Sequence, residues 1–143
     1  MFMGEYSHTI DAKGRLIIPA KLREQLGSRA ILTKGFDQCL SIFTEERWKY
    51  ITTALNKQPS TKAGIRVLQR MLFGSATEIE FDSQGRILVP PSLRRAAELE
   101  KKCIVVGVGE HIEVWSEARW NNYVEEVSPS VESLVEDLED IVF

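Results

Sequence analysis

The chain has 143 residues, 43% of them hydrophobic and 27% charged, a balance that excludes a mostly disordered or collagen-like protein. No run approaches the roughly 18 apolar residues of a spanning helix. The N-terminus MFMGEYSHTI meets an acid at Glu5 instead of a basic start and an apolar stretch, so neither leader nor membrane anchor is expected and a cytoplasmic location is. The net charge of −3 hides two unlike halves: residues 1–70 carry 12 Lys and Arg against 6 Asp and Glu, whereas residues 71–143 carry 6 against 15. A basic binding face is therefore compatible with an acidic whole.

In chain order, an extended SHTI runs into the turn Asp11-Ala12-Lys13-Gly14 and a second extended segment, Arg15-Leu-Ile-Ile18. Asp at the first turn position and Gly at the last, where a positive φ is expected, suit a short hairpin. Pro19 opens a helical turn, and AKLREQL stops at Gly27. Two strands follow. Thr44 then caps a helix with Trp48, Ile51 and Leu55 on its inner face. Ser60 is expected to cap a linking helix with Ile65, Leu68 and Leu72 inward.

The pattern then starts again. DAKGRLIIPAKLR, Asp11 to Arg23, returns 71 residues later as DSQGRILVPPSLR, Asp82 to Arg94, and KGFDQCLSIFTEERW, Lys34 to Trp48, returns as VGVGEHIEVWSEARW, Val106 to Trp120, at an offset of 72. Asp11, Gly14 and Arg15 match Asp82, Gly85 and Arg86; Pro19 and Arg23 match Pro90 and Arg94; Trp48 matches Trp120. In the second unit Ser116 is the helix cap, with Trp120, Tyr123 and Val124 inward. Two copies of one unit imply a pseudo-symmetric body. The organisation expected is a first unit over residues 5–48, a linking helical region over 49–75, a second unit over 76–120 and an acidic C-terminal helix over 121–143. In that tail Ser128 caps, Pro129 occupies the first turn, and Val131, Leu134, Val135, Leu138 and Ile141 or Val142 form an apolar stripe.

An Asp-x-x-Gly-Arg turn taken alone is scaffold more often than site, because Asp and Arg can pair across any tight turn. What marks this one is the charge around it. Lys13, Arg15, Lys21 and Arg23 fall within eleven residues, a cluster suited to phosphates while an arginine reaches a base edge. The second copy keeps Arg86, Arg94 and Arg95 but has Gln84 and Ser92 where the first has Lys13 and Lys21. Cys39 and Cys103 lie outside any Cys-x-x-Cys spacing and read as small buried hydrophobes. His8 and His111 occupy non-equivalent positions with no catalytic partner at a recognisable spacing, and no phosphate-binding glycine loop is present. No enzyme activity, metal or cofactor is expected.

The doubled motif, with the helical link between its copies, resembles the MraZ family of bacterial transcriptional regulators, whose lobes are of the SpoVT-AbrB swapped-hairpin type. The resemblance implies a mixed α+β, mainly β fold: two tandem half-barrels in one pseudo-twofold body, with short helices. It implies assembly into a ring-shaped homo-oligomer. It implies binding of double-stranded DNA at repeated boxes ahead of the division and cell-wall gene cluster that includes the protein's own gene, and so residence on the nucleoid. Carried over by position, Arg15 and Arg86 contact DNA with Lys13, Lys21, Arg23 and Arg94 assisting, while Asp11, Gly14, Asp82 and Gly85 support the reading turns. The alternative is an antitoxin-like interaction module of the same fold, suggested by the acidic tail.

Overall fold

A computed structural model describes residues 1–141. Its strands are β1 (Glu5–Thr9), β2 (Arg15–Ile17), β3 (Arg29–Lys34), β4 (Leu40–Thr44), β5 (Thr77–Glu80), β6 (Arg86–Leu88), β7 (Lys102–Gly107) and β8 (Ile112–Ser116). Its helices are α1 (Ala20–Leu26), α2 (Glu45–Asn56), α3 (Ala63–Ser75), α4 (Pro91–Ala96), α5 (Glu117–Val127) and α6 (Val131–Val135). Six strands form one sheet in the order β1-β7-β8-β4-β3-β5, and β2 and β6 form a separate two-stranded ribbon.

That order is unchanged when the two repeats are exchanged. Each repeat lends its first strand to the other: β1 lies antiparallel to β7, with Glu5 opposite Val106, and β5 lies antiparallel to β3, with Glu80 opposite Arg29. At the centre β4 meets β8 about the pair Ser41 and Glu113, with Leu40 opposite Val114 and Ile42 opposite Ile112. The ribbon has the same symmetry about Leu16 and Ile87. A pseudo-twofold relation thus runs through sheet and ribbon, and the expected mixed α+β, strand-cored fold of two interlocked half-barrels is what the chain adopts.

The simple hairpin between SHTI and RLII needs correction. Its strands touch through one isolated bridge, Ile10 to Leu16, and then part, β1 into the large sheet and β2 onto β6. The reason is burial. Leu16, Ile18, Ile87 and Val89 are each at most 1% exposed, and pairing β2 with β6 lays all four over the shared core with Leu22, Leu32, Ile42, Leu93, Val105 and Val114. Fully burying one such side chain contributes about 1.5–3 kcal/mol, so exchange between repeats is favoured over two flat local hairpins.

Capping holds in both repeats. Thr44 Oγ1 accepts the Arg47 amide at 3.0 Å, and Ser116 Oγ accepts the Arg119 amide at 3.4 Å. Trp48, Trp120 and Tyr123 are packing groups, as expected: Trp48 meets Phe73 edge-on at 5.8 Å, and Trp115 meets Trp120 and Tyr123 at 5.3 and 5.0 Å. Val124 is the exception, 38% exposed. Pro19 sits one place earlier than expected, at the cap of α1, where its carbonyl accepts the Leu22 and Arg23 amides; in the second repeat Pro90 caps and Pro91 takes the first turn.

Two further expectations are corrected. Ser60 does not cap the linking helix, because α3 starts at Ala63 with Lys62 at the cap and no side-chain cap bond. The Ser60 and Thr61 carbonyls instead accept from Arg66 Nη1 at 2.8 and 3.1 Å, which holds the preceding residues as a turn between α2 and α3. The C-terminal segment is not one continuous helix over 121–143. α5 ends at Val127, Ser128–Ser130 form a 3₁₀ turn with Pro129 inside it, and α6 is five residues long. Ser128 does not cap α6 but donates to the Val124 carbonyl at 2.6 Å. Val131, Leu134, Val135, Leu138 and Ile141 are 47–63% exposed; Val142 lies outside the described residues.

Candidate nucleic-acid interface

The two Asp-x-x-Gly-Arg turns stand at opposite ends of the β2–β6 ribbon. In the first, Asp11 Oδ1 accepts the Lys13 and Arg15 amides at 3.0 and 2.9 Å, and Asp11 Oδ2 accepts Arg15 Nε at 2.6 Å. In the second, Asp82 Oδ1 accepts the Gln84 and Arg86 amides, both at 2.9 Å, and Asp82 Oδ2 accepts Arg86 Nε at 2.7 Å. Each carboxylate therefore fixes its turn with one oxygen and its arginine with the other. Binding through Nε holds the guanidinium stem without using its Nη N–H donors. The Arg15 amide, working against partial desolvation and aided by the guanidinium, holds the Asp11 carboxyl below its ordinary value; the Arg86 amide does the same for Asp82.

The glycines are required by conformation and by space. Gly14 and Gly85 have φ of 87° and 75°, a region costly to any residue with a Cβ. A Cβ at Gly14 would lie 2.6 Å from the Val89 carbonyl oxygen, and one at Gly85 would run into the Arg23 guanidinium. The turns are also tied crosswise, since Val89 donates to the Gly14 carbonyl at 2.8 Å and Ile18 to the Gly85 carbonyl at 3.1 Å.

The ribbon turns one face inward and one outward. Leu16 and Ile87 point into the core; Arg15 and Ile17 alternate with them on one strand, Arg86 and Leu88 on the other. Arg15 stands opposite Leu88 and Ile17 opposite Arg86, so the two arginines are diagonal neighbours with backbones roughly 7–8 Å apart. Their side chains are 38% and 24% exposed. Lys13, at the first turn, and Lys21, on α1, are exposed, as are Gln84 and Ser92 at the matching places.

Arg23 and Arg94 are placed differently. Arg23, on α1, donates from Nη1 to the Ile18 carbonyl at 2.8 Å and covers the second repeat's turn at Gly85. Arg94, on α4, covers the first repeat's turn at Gly14 and reaches the Ala12 carbonyl at 3.5 Å, with its Nε buried and unpartnered. Each arginine thus braces the opposite copy. The sequence reading missed Ile17 and Leu88, which are 39% and 58% exposed among buried neighbours; period-two alternation counted from Arg15 and Arg86 would have found them.

Cys39 and Cys103 are buried free thiols, and burial pushes both away from the thiolate, Cys103 to about 11. Among the described residues no group of three or more His, Cys, Asp or Glu is placed to hold a metal, and no helix is long and apolar enough to cross a membrane.

Comparison with known proteins agrees with the doubled architecture. A family model described as "MraZ protein, putative antitoxin-like" matches twice, over residues 1–71 and 72–140. A protein of Ligilactobacillus salivarius named transcriptional regulator MraZ is 51% identical over 140 residues, 98% of this chain and 98% of its own length. The proteins of that name from Heliobacterium modesticaldum and Carboxydothermus hydrogenoformans are 49% and 46% identical over 140 and 142 residues, with 98% and 99% of each chain covered. With the family matched once in each repeat and relatives aligned end to end, the chain belongs to the MraZ family.

Proposed function

We propose that the chain is a transcriptional regulator that binds double-stranded DNA by laying the β2–β6 ribbon in the major groove. One observation carries this reading: Arg15 and Arg86, each held at Nε by its own carboxylate, project from the outward face of an antiparallel ribbon. The major groove admits a two-stranded ribbon, and an arginine that meets guanine O6 and N7 with two N–H groups contributes about 1–3 kcal/mol of discrimination. Because Asp11 and Asp82 fix the arginines before DNA arrives, less side-chain entropy is lost on binding. Lys13 and Lys21 contact phosphates and set affinity without reading sequence. Arg23 and Arg94 act by positioning the turns they cover and by adding positive charge behind them.

Two arginines on one chain read little sequence. The targets in this reading are repeated boxes in the promoter of the protein's own division and cell-wall gene cluster, met by a ring of copies in which each ribbon engaged raises the effective concentration of the next. The names of the relatives support regulation of transcription. Fluorescence anisotropy of the full chain on DNA upstream of its own gene, against a scrambled fragment over a salt series, tests the reading. A preference for the upstream fragment that persists as salt rises supports it; equal affinities at every salt concentration contradict it.

One observation favours the antitoxin-like alternative: the apolar residues of the acidic tail, from Val131 to Ile141, stand exposed. On that reading, truncation before Ser128 leaves the fold intact and abolishes capture of a small protein partner.

A further inference from the structure

We infer that Ile17 and Leu88 are specificity-determining residues that take the 5-methyl groups of thymines beside the guanines read by Arg86 and Arg15. The inference rests on the ribbon reading just proposed and adds to it the identity of the neighbouring base. β2 and β6 place Leu16 and Ile87 on the inner face at 0% and 1% exposed, and the next residues outward, Ile17 and Leu88, at 39% and 58%. Both repeats put a bare aliphatic at the same outward place, two residues after the arginine.

The register says what these side chains can touch. Ile17 faces Arg86 and Leu88 faces Arg15 across the ribbon, with Cβ atoms roughly 4.5–5.5 Å apart. Successive base pairs are about 3.4 Å apart along the duplex. An arginine on one guanine therefore brings its opposite aliphatic onto the same or the adjoining base pair. The thymine methyl is the apolar group on the major-groove edges of the bases, and apolar side chains recognise it. The aliphatics also shield the arginine contacts from water, as near-neutral residues do around an energetic hot spot. Charge argues for DNA as the occupant of this face: Arg15 and Arg86 stand across the ribbon from the aliphatics, Lys13 in the first turn and Lys21 on α1 are exposed, and Asp11 and Asp82 are already committed to the arginines.

The test replaces thymidine by deoxyuridine, which pairs identically but lacks the methyl. The upstream fragment is amplified with dTTP or dUTP, and anisotropy is measured for wild type, Ile17→Ser, Leu88→Ser and Arg15→Ala, with scrambled fragments of both kinds as controls. Serine removes every methyl group at these exposed positions, and unchanged melting temperature and particle size show that each variant is folded. Wild type is expected to bind the deoxyuridine fragment about fourfold more weakly for each methyl contacted, the equivalent of one buried CH₂. Each serine variant is expected to lose affinity for the thymidine fragment and part of that discrimination. Equal wild-type affinity for the two upstream fragments, or full discrimination by both serine variants, overturns the inference. If Arg15→Ala still loses upstream binding in that case, the ribbon reading survives alone; if wild type does not prefer upstream to scrambled DNA, both fall.

Discussion

The turn at Asp11 and the turn at Asp82 share a hydrogen-bond pattern almost to the tenth of an ångström: two amides to one carboxylate oxygen, the arginine Nε to the other, and a glycine of positive φ closing each. Their surroundings differ in charge. Lys13 and Lys21 flank the first, Gln84 and Ser92 the second. Shared geometry follows from the fold, because each turn must deliver its strand to a common ribbon over a common core. Charge is free to diverge, and on the proposed DNA-binding reading its difference makes the first copy the stronger contributor.

The largest expected effect concerns what the copies share. Leu16→Ala and Ile87→Ala remove side chains that are 0% and 1% exposed under the two halves of the ribbon, and each should destabilise the protein by about 2–5 kcal/mol. Chemical denaturation checks this. Similar losses sharpen the comparison; a large cost at one site and none at the other would break the symmetry of the core.

Next come the arginines. Arg15→Ala should weaken binding to the upstream fragment by about 1–3 kcal/mol, and Arg86→Ala by less, because the second copy lacks the neighbouring lysines. Anisotropy titrations at one salt concentration measure both. Since each arginine is also tied to its turn, circular dichroism must show the fold unchanged.

How much of this was legible in the sequence follows from the same contrast. The repeat, the turns, the caps at Thr44 and Ser116 and the arginines held by their aspartates are local patterns, and local chemistry is written in order along the chain. The exchange of β1 and β5 between repeats is not a local pattern, because Ile10 and Leu16 could equally close a plain hairpin; it was carried only by the resemblance to swapped-hairpin lobes, and the competition for one buried core accounts for it. The crossed placement of Arg23 and Arg94 was hidden for the same reason, each lying over the turn of the other repeat. The break in the tail was hidden because periodicity shows an apolar stripe but not where a helix is interrupted, here by the 3₁₀ turn at Ser128–Ser130.

Smaller effects belong to the lysines. Lys21→Ala should weaken specific and scrambled DNA alike and lower the salt slope by about one. Gln84→Lys should do the reverse, moving the second copy toward the first. The two slopes, read from log affinity against log salt, sharpen the comparison directly.

The smallest effect should be equal in the copies. Asp11 and Asp82 titrate below their ordinary value of 3.8 in the native state, each held first by the amide of its own arginine. Their contribution to stability is therefore complete above that value and is lost as pH falls through the lowered native one. Asp11→Asn and Asp82→Asn should each flatten the acid limb of the melting temperature against pH to a similar, modest extent, as expected for exposed carboxylates.

The central proposed contact is an arginine of the ribbon meeting the major-groove edge of guanine, and removing one acceptor from that edge tests it most directly. Replacing guanine by 7-deazaguanine in the upstream boxes deletes N7 while keeping the base pair. Wild type should lose affinity on the substituted DNA, by up to the 1–3 kcal/mol of a bidentate contact, and Arg15→Ala should bind substituted and unsubstituted DNA more nearly alike. Wild type binding both DNAs equally, or Arg15→Ala showing the full wild-type loss, would contradict the claim that Arg15 reads guanine.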